Sequence, residues 1–152
     1  MARSLLLLSL RNTTMTTYRI LIVDDDSGAR ECYGKLFRRH GYNPCLAPSG
    51  AWVEENRELL RDVDLILLDY RMPGMTGLEL LGRLRKNGFR GLAFLISAHV
   101  SEEMSAEAGR LGICRIFHKP VESAALLQSV AEAVTHFERE AERADFDSTA
   151  LI

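Results

Sequence analysis

Cysteine is scarce in this 152-residue chain, and the three present, Cys32, Cys45 and Cys114, fall in no CxxC or Cys/His array. An odd, scattered set supports neither a disulfide framework nor a zinc site, so buried, reduced thiols are expected. Blocks of basic residues are missing as well. The 19 Lys and Arg stand against 21 Asp and Glu, a net charge of −2, which leaves no counterion-releasing surface for direct nucleic-acid binding. The chain also lacks a long apolar run: Leu5 to Leu8, then Ser9 and Leu10, is too short to cross a bilayer and has no small-residue cleavage site after it. No membrane association and a cytoplasmic location are therefore expected. What the chain does have is 47% hydrophobic and 26% charged residues, the balance of one folded domain with a core of ordinary size.

From residue 18 onward, short apolar strands alternate with amphipathic helices, the pattern of a parallel α/β sheet. Arg19 to Val23 reads as a first strand, and Ala29, Cys32, Tyr33, Leu36 and Phe37 recur at helical spacing after it. Tyr42 to Ala47 reads as a second strand. Pro44 has no N–H to give to a ladder, so this strand belongs at a sheet edge. Ser49 opens a helix expected to run through Leu59. Leu65 to Leu68, wholly aliphatic, reads as a strand buried on both faces in the sheet centre. A turn and helix are expected over Pro73 to Lys86, strands over Gly91 to Ile96 and Ile113 to His118, and helices around Met104 to Leu111 and Leu126 to Phe137. Residues 1–17 are set aside as an N-terminal extension, disordered or reflecting a misassigned start before Met15. The domain spans 18–136, and 137–152 finish the last helix in a charged tail.

Parallel strands joined by right-handed crossovers place ligands beyond their carboxyl ends, where the strand order reverses. Four strand ends here carry polar groups: Asp24 and Asp25, Asp69, Ser97, and Lys119. Clustered carboxylates repel unless a hard cation neutralises them, and Mg²⁺ binds through one or two carboxylates, waters and a phosphate oxygen. Asp25 and Asp69 are the expected direct ligands. Each polar residue also has a plainer explanation: the Asp24 to Asp26 acids as caps of the first helix, Asp69 and Ser97 as caps of later turns, Lys119 as a solvated lysine. Capping accounts for Asp26, which is not assigned to the metal. It does not account for three acids at once.

Arg19-Ile-Leu-Ile-Val-Asp-Asp-Asp26, Leu67-Leu-Asp-Tyr-Arg-Met-Pro-Gly74 with Gly77, Ile96-Ser-Ala98 and Lys119-Pro120 together resemble the receiver domain of two-component response regulators, over roughly residues 18–136. The resemblance implies a flavodoxin-like five-stranded parallel sheet of order 2-1-3-4-5 with helices on both faces. It implies Mg²⁺-dependent phosphoryl transfer to Asp69 from a histidine kinase, a histidine phosphotransfer protein or a small acyl phosphate. Asp24, acting partly through water, and the main chain of Arg71 would complete the metal site. Ser97 and Lys119 would bind phosphoryl oxygens, and the Lys119-Pro120 bond can be cis. No segment resembles an output domain, so signalling through a downstream partner, as a monomer or weak homodimer, is expected. Receivers commonly carry an aromatic residue three positions before this lysine, and here Ile116 stands there. Arg71 and His99 occupy the positions that influence how water reaches the acyl phosphate.

Other classes fit less well. An aspartyl phosphatase needs a general acid two residues after its nucleophile, where this chain has Arg71. A dinucleotide site needs a glycine-rich turn where Asp24 to Asp26 stand. A phosphate-independent receiver-like interaction domain remains the alternative, and the complete set of Asp24, Asp25, Asp69, Ser97 and Lys119 argues against it.

Overall fold

The computed structural model describes residues 17–150. The leading segment, to which an extension or misassigned start was assigned, lies outside the described residues apart from Thr17. Five strands, β1 (Arg19–Val23), β2 (Asn43–Ala47), β3 (Leu65–Asp69), β4 (Leu92–Ser97) and β5 (Ile113–His118), form one sheet. All neighbours pair in parallel, in the order β2-β1-β3-β4-β5. This is the flavodoxin-like arrangement. Pro44 does lie on an edge strand, and β3, buried along its whole length, is central.

Alternate residues of each strand face opposite sides, so the sheet has two cores. Leu21, Val23, Ile66 and Leu68 pack against α2 (Gly50–Glu55), α3 (Gly77–Lys86) and α4 (Glu102–Arg110). Ile20, Ile22, Leu65 and Leu67 pack against α1 (Ser27–Arg39) and α5 (Ser123–Ala150). Each of these fully buried aliphatic side chains contributes about 1.5–3 kcal/mol of transfer free energy. Helices start where short polar side chains cap the free N–H groups: Asp26 for α1, Ser49 for α2, Ser101 for α4, and Thr76 with Glu79 in a capping box for α3.

Two expectations need correction. The helix opened by Ser49 ends at Glu55, and a 3₁₀ turn (Arg57–Asp62) follows, because Asn56 turns its amide onto the Trp52 carbonyl and breaks the α-helical run. Nor are the thiols uniformly buried: Cys32 and Cys114 are exposed and Cys45 is half-buried. Cys114 sits on the edge strand β5 and Cys32 on the outer face of α1, where no second layer covers them.

Candidate functional site

The sheet ladder continues one residue past several strands and fixes the groups that follow them. Asp24 donates its N–H to the Ala47 carbonyl (3.2 Å), Tyr70 to Ile96 (2.8 Å) and Lys119 to Ser97 (3.0 Å). Asp24, Asp25, Asp69, Arg71, Ser97 and Lys119 consequently line one cleft of about 610 Å³ at the carboxyl edge of the sheet, together with His99. Asp24, Asp69 and Ser97 are buried at its floor, while Asp25, Arg71, His99 and Lys119 reach solvent.

One carboxylate oxygen each from Asp24, Asp25 and Asp69 falls within 4.8 Å of the other two. Hard oxygen donors at this separation, open to water on one side, suit a small divalent cation. The Lys119 ammonium lies 2.9 Å from Oδ1 of Asp69, which leaves the second oxygen of that carboxylate uncommitted to this pair. Burial pushes the Asp69 carboxyl above the ordinary aspartate range, Lys119 pulls it back, and the Asp25 charge raises it further; the net direction is up. Burial likewise raises Asp24, against the hydrogen bond it accepts from the Asp26 N–H, and the charge of Asp69 adds to the rise. For Lys119 burial opposes the charged form, but the hydrogen bond and charge of Asp69 outweigh it and the ammonium is held on.

Asp26 takes no part in the cluster. Its carboxylate accepts from Gly28 N–H at 2.9 Å and Ala29 N–H at 3.2 Å, the capping role read from the sequence. Ser97 does not cap α4; Ser101 does that, and the Ser97 hydroxyl donates to the His99 carbonyl at 2.6 Å. The Lys119-Pro120 bond is cis. Sequence reasoning missed three neighbours of the site. Arg30 of α1 reaches back to the Asp24 carbonyl at 2.7 Å, Tyr33 is close enough to feel the charges of Asp24, Lys119 and Asp69, and Met104 of α4 lines the cleft. Tyr33 and Met104 read in the sequence as members of apolar stripes, and nothing in the local pattern singles out Arg30.

A doubly wound parallel sheet with an acidic cleft and one lysine at its carboxyl edge defines the class. The comparison with known families is more specific: a family model for the response regulator receiver domain matches residues 20–131, and the chain belongs to that family. It is 33% identical over 106 residues to sporulation initiation phosphotransferase F of Bacillus subtilis, covering 70% of this chain and 85% of that protein. Four other curated relatives are longer, and the chain spans 26% to 38% of their length. A CheY-like receiver domain protein from Methanospirillum hungatei superposes with a TM-score of 0.75 at 26% identity, over 82% of this chain and 99% of the other. The CheX-CheY-BeF₃-Mg²⁺ complex from Borrelia burgdorferi gives 0.71 at 25%, over 77% and 89%. The chain is thus a receiver domain of the kind found in two-component signalling, a family that binds Mg²⁺ at an acidic pocket and interacts with histidine kinases or phosphotransfer proteins. Among the described residues no helix is long and apolar enough to cross a membrane.

Proposed function

We propose that this receiver, spanning residues 18–136, takes a phosphoryl group onto Asp69 from a phosphohistidine of a kinase or phosphotransfer protein, in the cytoplasm, and signals by changing what it binds. One observation carries the reading: a buried carboxylate at the end of the central strand, held 2.9 Å from a lysine, beside two further acids in an open cleft. A carboxylate oxygen of Asp69 attacks phosphorus, the phosphorus–nitrogen bond breaks, and the leaving imidazole takes up a proton. The product is a mixed anhydride, which water later cleaves to aspartate and inorganic phosphate.

Such a transfer has a loose transition state, so positioning and charge stabilisation do most of the catalysis. Asp25 and Asp69 would hold Mg²⁺ directly, Asp24 partly through water, and the Arg71 carbonyl would complete the set; the ion, when bound, supplies positive charge against the phosphoryl oxygens. Lys119, already paired with Asp69, pairs with one phosphoryl oxygen. Ser97 bonds another after its hydroxyl leaves the His99 carbonyl. The Borrelia complex, with its BeF₃ and Mg²⁺, supports this by likeness. Acetyl phosphate with Mg²⁺ should add the mass of one phosphate to the intact protein. A protein that gains none would instead be a phosphate-independent interaction domain.

A further inference from the structure

A second groove lies apart from the acidic cleft. It measures about 780 Å³ and lies at the opposite end of the sheet, beside Asp64 before β3 and Gly91 before β4. Its lining is apolar, with Leu60, Phe89 and Phe137, and also carries the exposed side chains of Arg57, Arg61 and Arg90. None of these three arginines has an ion-pair partner among the described residues. Two acids, Glu58 and Asp64, stand on the rim against the three cations, and Asp64 also accepts the Arg19 N–H at 2.9 Å, so the rim keeps a net positive charge.

Helix α5 leaves the body of the domain at this groove. Val134 is its last buried residue, Phe137 is 41% exposed at the groove wall, and residues 138–147 are all exposed, with Phe146 at 74%. That stretch holds five acids, Glu138, Glu140, Glu142, Asp145 and Asp147, against Arg139 and Arg143; Glu138 accepts from the Tyr18 hydroxyl and Glu140 lies 3.6 Å from His136 Nδ1, both exposed contacts. A helical stretch that buries no apolar face is marginal in water. Two such segments do not suit each other: the stripe that continues from Val134 through Phe137, Ala141 and Ala144 is flanked by Glu138, Glu140, Asp145 and Asp147, so side-by-side pairing sets acid against acid.

We propose that the occupant of the arginine-rimmed groove is the acidic α5 extension of a second copy of this chain. A two-fold axis near Phe137 sends each extension across the groove of the other copy, so the same contact is made twice. Acids then meet the unpaired arginines, and the exposed aromatic residues gain cover. The interface lies away from the acidic cleft and does not depend on phosphorylation.

A charge-swap experiment followed by sedimentation velocity over a concentration series tests this. One variant reverses the groove (Arg57→Glu, Arg61→Glu, Arg90→Glu) and the other reverses the helix (Glu140→Lys, Glu142→Lys, Asp147→Lys). The parent should dimerise reversibly and lose affinity with added salt. Each variant alone should self-associate at least about tenfold more weakly, and an equimolar mixture should recover the dimer, since both contacts are then complementary again. Circular dichroism checks that each variant folds; if a triple variant does not, Arg61→Glu and Glu142→Lys serve as the pair. A parent that stays monomeric throughout, variants that dimerise as well as the parent, or folded variants that fail to associate on mixing would each overturn the proposal. Monomeric parent with capture of a foreign acidic segment in the groove would do so as well.

Discussion

The Lys119 ammonium sits 2.9 Å from one oxygen of Asp69, and an oxygen of the same carboxylate lies within 4.8 Å of an oxygen each of Asp24 and Asp25. One cation is thus shared among three acids, and the surplus negative charge is confined at the sheet edge.

Asp24 shows the cost of that surplus. Burial first, and the charge of Asp69 besides, hold its carboxyl above the ordinary range, so the folded chain binds this proton more readily than the unfolded chain does. The stability gained is fully present below the ordinary aspartate value and is lost as pH rises through the raised folded value. Asp24→Asn keeps an acceptor for the Asp26 N–H and should stabilise the metal-free protein at neutral pH by on the order of 1 kcal/mol. Urea unfolding at several pH values should show that gain fading in acid. Mg²⁺ should stabilise the parent more than the variant. A variant no more stable than the parent at neutral pH would contradict this.

Gly77 is fixed by the acceptor itself. A Cβ there would stand 2.4 Å from the Asp69 carbonyl oxygen, and the Gly77 N–H donates to Tyr70 at 2.8 Å. Gly77→Ala should cost about 2–3 kcal/mol, the upper part of the range for overpacking, because the obstacle is backbone and not a side chain that can swing away. It should also slow phosphorylation. Unchanged stability on denaturant titration would refute the packing argument.

The division of the sheet into two cores bears on how a signal leaves the site. Ile116 packs on the α2, α3 and α4 side, whereas the adjacent Phe117 is buried on the α1 and α5 side against Phe94. Strand β5 therefore places no phenyl ring to swing beside Ser97, and movement of the β4 to α4 segment should carry the change, with Ile116 following. Ile116→Ala should cost about 1–3 kcal/mol for a half-buried side chain yet leave phosphorylation-dependent partner binding largely intact. Loss of that coupling in a folded, phosphorylated variant would overturn the idea.

Most of this architecture was legible in the sequence because buried parallel strands must be apolar on both faces, which makes β1, β3 and β4 conspicuous, and because Pro44 can sit only where a ladder N–H is not needed. The convergence of Asp24, Asp69, Ser97 and Lys119 followed from the strand ends alone. Helix limits were less legible. Asn56 as a helix stop is a short signal that the apolar period hides. Burial of the cysteines failed because exposure on an edge strand or an outer helix face depends on tertiary layers that local pattern does not encode. Contacts such as Arg30 to the Asp24 carbonyl need the turn geometry itself.

Arg71 and His99 both line the cleft and both are exposed. Arginine has no acceptor and cannot act as a general base, but it can cover or pair with a phosphoryl group, while a neutral imidazole can take a proton from water. Phosphate loss should quicken severalfold in Arg71→Asn and change less in His99→Ala, followed at fixed Mg²⁺ and pH. An Arg71→Asn protein that decays at the parental rate or more slowly would remove the argument.

The most direct test of the account is site-resolved phosphorylation: treat parent and Asp69→Asn with acetyl phosphate, with and without Mg²⁺, reduce the acyl phosphate with borohydride, and map the labelled peptide. The account predicts one modification, at Asp69, in the parent with Mg²⁺, and none in Asp69→Asn or without the metal. Equal, metal-dependent labelling of Asp69→Asn, or labelling of the parent elsewhere than Asp69, would contradict it.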